Sequence, residues 1–160
     1  MRPLRHILLL VLAFLLQTTW VHFFEIAAVG PDLILLVIVY IALSAGQFEA
    51  IVLGFCIGFV QDSYAPEQLG VNALAKCLVG YLVGYSRLRI MADGPQVQTV
   101  LVVGAVLLHD AVYYVAHNGI PWAETPYFWA RYSVGRAVYT GLLGAALAYG
   151  ALLRRRFLPV

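Results

Sequence analysis

From Pro31 to Gly84 the chain reads PDLILLVIVYIALSAGQFEAIVLGFCIGFVQDSYAPEQLGVNALAKCLVGYLVG. Three apolar segments follow one another here, at about 32–45, 48–62 and 70–86. Gly46-Gln47 separates the first two, and Ser63 to Leu69 separates the second pair. Runs such as Ile34 to Ile38 do not alternate, so they do not read as strands of a membrane β-barrel. They read as helices, which satisfy their own backbone where no water is available. A bilayer core of about 30 Å calls for about 20 residues per helix. The first two segments fall short of that. They are either two short spans or a re-entrant pair, and the unbroken apolar character on both sides of Gly46 favours two spans.

The same character extends outward over all 160 residues. Apolar residues make up 62% of the chain and charged residues 11%. Mean hydropathy is +0.86. A soluble domain of this size would need a charged coat that is missing here, so the chain reads as one all-α integral membrane domain. Further spans lie at about 7–24, 97–116 and 133–153, which makes six. The first is preceded by Arg2 and Arg5 but has no convincing cleavage site after it, so it reads as an uncleaved span rather than a signal peptide. The basic residues then set the orientation. With the N-terminus in the cytoplasm, Arg2, Arg5, Arg87, Arg89 and Arg154 to Arg156 all lie inside. The outer loops, about 25–31, 63–69 and 117–132, hold only Arg131. Both termini are therefore expected in the cytoplasm. Trp20, Trp122, Tyr127, Phe128 and Trp129 are expected in an outer aromatic belt.

A formal charge of +2 gives no reason to expect nucleic acid, and no zinc-ligand spacing or cofactor motif is present. Cys56 and Cys77 lie in apolar runs and read as buried small hydrophobes. Two kinds of signal stand out against this background. One is a set of small-residue stripes: Gly54 with Gly58, Gly80 with Gly84, and Gly141, Gly144, Ala145 and Ala148. Such stripes let helices approach closely, within this chain or against a partner's span. The other is a group of polar residues expected in the outer half of the membrane: Asp62, Asn72, Lys76, Asp110 and Arg136. An ion at membrane depth is costly and usually finds a partner. Asp62 reads either as an interfacial cap or as a buried partner of Lys76. Lys76 itself either pairs or snorkels to the headgroups. Asp110 and Arg136 make a second candidate pair. His109 and His117 read as packed or interfacial, and Glu25 and Glu49 as interfacial without a role.

The pattern from 31 to 84 resembles the MreD family of rod shape-determining proteins. The resembling residues are Pro31-Asp32-Leu33 opening the second span, Asp62 closing the third, and Pro66 with Leu69-Gly70 opening the fourth. The ends of the chain match by topology alone. Lys76 stands where the family is usually apolar, so no family role is carried onto it. The resemblance implies a non-enzymatic scaffold of the elongasome in the bacterial inner membrane. That scaffold would bind the single-span protein MreC and support rod shape and lateral peptidoglycan synthesis with MreB, RodA and a class B transpeptidase. It also implies a shape similar to the six-helix substrate-binding components of vitamin uptake transporters.

Two other functions compete. A vitamin-binding component would use the outer polar cluster as its pocket. Such proteins usually carry an Ala-x-x-x-Ala stripe on the first span, and residues 7–24 contain only Ala13. An intramembrane aspartyl protease would use Asp62 and Asp110 as an acid–base dyad. The chain lacks the surroundings of lipoprotein signal peptidases and has more spans than they do.

Overall fold

The computed structural model describes residues 2–20, 29–89, 94–116 and 122–157, the last few of these by backbone alone. Seven α-helices account for nearly all of them: α1 (Arg2–Thr19), α2 (Leu33–Ser44), α3 (Gln47–Asp62), α4 (Val71–Arg89), α5 (Pro95–Ala116), α6 (Thr125–Phe128) and α7 (Val134–Phe157). A 3-10 turn at Pro66–Gln68 lies between α3 and α4, and a π segment at Trp129–Ser133 joins α6 to α7. Glu25 and His117 lie outside the described residues.

Helix α2 explains why its sequence is apolar on every side. Ile34, Leu35, Ile38, Val39, Ile41 and Ala42 are all buried. The helix touches α1, α3, α4, α5 and α7. A helix that is apolar all round belongs in the middle of a bundle, and here it forms the hub of the core. Twelve residues rise about 18 Å, well short of a bilayer's apolar thickness. Among the described residues two helices are long and apolar enough to cross a membrane by themselves, Pro95–Ala116 and Thr125–Leu153.

The surface inverts the order of a soluble protein. Leu4, Leu8, Leu12 and Leu15 are exposed along α1, Phe48, Val52, Phe55 and Phe59 along α3, and Val138, Leu142 and Leu147 along α7. Inside lie His6, Asp32, Asp62, Lys76, His109, Asp110 and Thr140. Cys56 belongs to the exposed face of α3, contrary to the burial expected from its apolar neighbours. Helical spacing puts it beside Val52, Phe55 and Phe59, on the side away from Gly54 and Gly58. Cys77 is half-buried, and both thiols are free.

The broadest helix contact joins α3 to α4, and its glycines make it possible. A Cβ on Gly58 would lie 2.5 Å from the Ala73 Cα, and one on Gly84 would lie 2.5 Å from the Gln47 Cα. Gly54 and Gly80 face the Lys76 and Ala50 backbones in the same seam. On the other side of the bundle Gly141 and Gly144 meet Val103 and Val102 of α5. The stripes from Gly54 to Gly84 are thus internal and offer no surface to another protein.

Two boundaries differ from expectation. The last helical stretch starts at Thr125, well before 133, so much of the supposed loop is helix. Pro126 sits in its first turn, where a missing N–H costs nothing. The aromatic composition of 127–132 read as loop because its rings divide between surface and interior. Trp122 and Tyr127 are exposed, but the Trp129 indole turns inward and donates to the Leu107 carbonyl at 3.1 Å. At the other end of the chain, α1 begins at Arg2, ahead of the apolar run.

The seam predicts a contrast between two alanine variants. Gly58→Ala must move backbone and should cost about 1–3 kcal/mol, the usual range for overpacking. Gly104→Ala, where a Cβ meets nothing within 4 Å, should leave the protein as stable as before or slightly more so. Thermal unfolding of both variants in mild detergent measures the difference.

Candidate functional site

The site is built on the turn between α3 and α4. Asp62 is the last residue of α3 and is fully buried. Its Oδ2 accepts the backbone N–H of Gly70 at 3.0 Å and of Ala73 at 3.0 Å, and its Oδ1 accepts that of Asn72 at 3.1 Å. The first N–H groups of a helix have no partner within the helix and carry its positive dipole end. One carboxylate therefore satisfies the start of α4. Gly70 reaches this arrangement with φ at +94°, a conformation that disfavours side chains.

Asp62 and Lys76 do not form the ion pair that their spacing suggested. The carboxylate is already taken by the backbone. Lys76 does not snorkel either, since it is 1% exposed. Its Nζ donates to Asn72 Oδ1 at 3.1 Å, one turn earlier on α4, and meets His109 Nε2 of α5 at 3.1 Å. An ammonium can only donate, so His109 Nε2 accepts and Nδ1 carries the proton. That Nδ1 lies 3.1 Å from Asp110 Oδ1. Arg136 Nη1 of α7 donates to the same oxygen at 3.2 Å. A continuous chain of polar contacts thus runs Asn72, Lys76, His109, Asp110, Arg136 across three helices. Four of the five residues named from the sequence belong to it. Asp62 stands beside it, holding the helix that carries Asn72 and Lys76.

Next to this chain is a polar cavity of about 300 Å³. Asn72, Lys76, His109 and Arg136 form one side of it. Gln17 of α1, Gln61 of α3, and Tyr113 and Tyr114 of α5 line the rest, with Gly30-Pro31-Asp32 leading into α2. The contributions come from the C-terminal parts of α1, α3 and α5, from the segment leading into α2, and from the N-terminal parts of α4 and α7, so successive long helices alternate in direction. Asp32 caps α2, its Oδ1 accepting from the Leu35 N–H at 2.9 Å. Its own N–H donates to Thr140 Oγ1 of α7 at 2.9 Å, and the Ile34 N–H donates to Gln17 Oε1 of α1 at 3.1 Å. The start of α2 is therefore tied to both neighbours.

Several of these residues escaped the sequence reading. Gln17, Gln61, Tyr113 and Tyr114 are polar or amphipathic groups in apolar runs, and only their convergence in space marks them. His109 read as packed or interfacial, yet it is the middle of the chain of contacts. Glu49 read as an interfacial residue without a role. In the fold its Oε1 lies 2.6 Å from Nδ1 of the buried His6, joining the start of α3 to the start of α1 at the far end of the bundle. Asp62 and Asp110 do not meet as a hydrogen-bonded pair of carboxylates. Both oxygens of Asp62 accept backbone N–H groups, Asp110 is bonded to His109 and Arg136, and no hydrogen bond joins the two among the described residues. No cluster of metal-ligating side chains occurs among them either.

A family model described as rod shape-determining protein MreD matches residues 2–121 of the chain. No curated protein and no solved structure matches it. The matched region contains every cavity residue except Arg136.

Two sets of variants test this geometry. Asp62→Ala leaves three buried N–H groups without an acceptor and should cost about 2–4 kcal/mol, whereas Asp62→Asn keeps an acceptor and should cost less. In double-mutant cycles the Asp110–Arg136 coupling should approach 1 kcal/mol, and that between Asp62 and Lys76 should be clearly smaller. Thermal stability in detergent is the readout for both. Equal couplings would mean that Asp62 and Lys76 pair in solution.

Proposed function

The chain belongs to the MreD family, and on that footing we propose that it is a multi-pass, non-enzymatic scaffold in the bacterial inner membrane. Family membership implies a role in determining rod cell shape. In the proposed role the bundle holds the single span of MreC, and through it helps to place MreB, RodA and a class B transpeptidase for lateral wall synthesis.

The observation that carries the reading is the inverted distribution of polarity within a family whose members are membrane proteins. Large apolar side chains cover the outer faces of α1, α3 and α7, and Asp32, Asp62, Lys76 and Asp110 are buried inside. Such an exterior is compatible with lipid and with the helices of other membrane proteins, and poorly compatible with water. The shortness of α2 is no obstacle, because α2 is surrounded by its own neighbours. The α3–α4 glycine seam is used up within the chain, so MreC would dock on one of the exposed aliphatic faces.

Coexpression with MreC and purification through a tag on this chain is the direct test. The two proteins should elute together from size exclusion in mild detergent. Separate elution of two well-folded proteins would refute the partnership. The topology is tested by single cysteines in a background lacking Cys56 and Cys77. Positions 66 and 124 should react with an impermeant thiol reagent from outside, and 47 and 158 should not. Labelling of 158 from outside would end the six-span arrangement.

A further inference from the structure

The cavity beside the polar chain contains two opposite charges that do not meet. Lys76 and Asp32 both line it, and both are buried. Among the described residues neither has an oppositely charged group within ion-pair distance. Lys76 uses its Nζ on two neutral acceptors, the Asn72 amide oxygen and the His109 imidazole. An ammonium has three donors, so one is left. Asp32 uses Oδ1 on the Leu35 N–H, and its Oδ2 takes no hydrogen bond from a described residue. Gln61, also on the cavity wall, has a buried amide oxygen without a donor. A buried ion without a counter-ion is expensive, and a buried acceptor without a donor costs about 1–3 kcal/mol. Simple packing does not explain why three such groups surround one space. Lys76 and Asp32 could have met each other, but the fold keeps them apart: Asp32 is tied to Thr140 and Leu35, and Lys76 to Asn72 and His109.

We propose that this cavity binds a small zwitterion, with its anionic group on Lys76 and its ammonium group on Asp32. The arrangement supplies one spare donor on a cation and one spare acceptor on an anion, which is the complement of a molecule carrying both charges. Arg136, engaged with Asp110 through Nη1 only, lies on the same wall and adds donors for the anionic end. Gln61 supplies a further acceptor for an N–H group. A volume of about 300 Å³ is at the small end of ligand cavities, which run roughly 300–1,000 Å³. It suits an amino acid, a dipeptide or the phosphoethanolamine headgroup of a lipid. These share one chemistry, an ammonium and an acidic group a few bonds apart, and differ in whether the molecule arrives from water or from the bilayer.

The test uses the full chain in mild detergent, with thermal unfolding as the readout. The zwitterionic probes are L-alanine, L-alanyl-L-alanine and phosphoethanolamine, and the single-charge controls are acetate, inorganic phosphate and ethanolamine. At least one zwitterion should raise the midpoint in a saturable way, with every control weaker by tenfold or more in apparent affinity. A second arm reconstitutes the protein in nanodiscs of phosphatidylethanolamine or phosphatidylglycerol and reads retained lipid by native mass spectrometry. Selective retention of phosphatidylethanolamine identifies a lipid source, and stabilisation by the free probes alone identifies a soluble one. Lys76→Gln and Asp32→Asn should each weaken the response at least tenfold. Asn keeps the cap on α2, so Asp32→Asn decides the matter if the Lys76 variant does not fold. The proposal fails if no zwitterion acts in either arm, which would mean that water alone fills the cavity. It also fails if the controls match the zwitterions, or if folded variants respond as the parent does.

Discussion

The arrangement at one end of this bundle depends on a single carboxylate. Asp62 ends α3 and, through three backbone N–H groups, begins α4. A helix start inside a low-dielectric environment needs acceptors for its free N–H groups, because water is not there to supply them. A carboxylate meets that need with charge as well as geometry. It also fixes how far along α3 the first turn of α4 must lie. That register places Gly54 and Gly58 against the backbone of α4, and Gly80 and Gly84 against the backbone of α3. The seam closes because both helices present hydrogen atoms where they would otherwise present side chains.

The polar chain follows from that seam. The Lys76 backbone and Cβ lie against Gly54, and from there the side chain carries its Nζ to His109 of α5. The route then continues through Asp110 to Arg136, so α4, α5 and α7 are linked at one level by groups that water cannot reach easily. The beginning of α2 is drawn into the same level by Gln17 and Thr140. At the opposite end His6 and Glu49 link α1 to α3. The bundle is thus tied at both ends by polar contacts, with an aliphatic layer around α2 between them. For a protein whose surroundings are as apolar as its core, such contacts do what hydrophobic burial does in water: they make one arrangement of helices preferable to others.

Much of this was legible from residue order alone. Apolar run lengths located the helices, and the absence of a charged coat pointed to lipid, in keeping with a family of membrane proteins. Four-residue spacing put Gly54, Gly58 and Asp62 on one face, and Asn72, Lys76, Gly80 and Gly84 on another. The Pro31-Asp32-Leu33, Asp62 and Pro66 to Gly70 elements resembled the family whose model matches residues 2–121. These features are local: each depends on period, length or a few adjacent residues.

The tertiary structure decided which polar group meets which. Sequence spacing made Asp62 and Lys76 look like a pair, because both are ions near the same turn. Only the folded chain shows that backbone N–H groups reach the carboxylate first, which leaves Lys76 to His109 on another helix. Cys56 was assigned by its neighbours in the run, but its exposure depends on which face the glycines take up. Trp129 was expected in an outer aromatic belt with its aromatic neighbours, and the fold adds a hydrogen bond from its indole to the Leu107 carbonyl of α5. The shape of the cavity cannot be read from the sequence, since its walls come from five helices and the segment leading into α2. Periodicity determines which residues share a face of one helix. It carries no information on how separate helices rotate about their axes relative to one another, and that rotation sets every contact in the site.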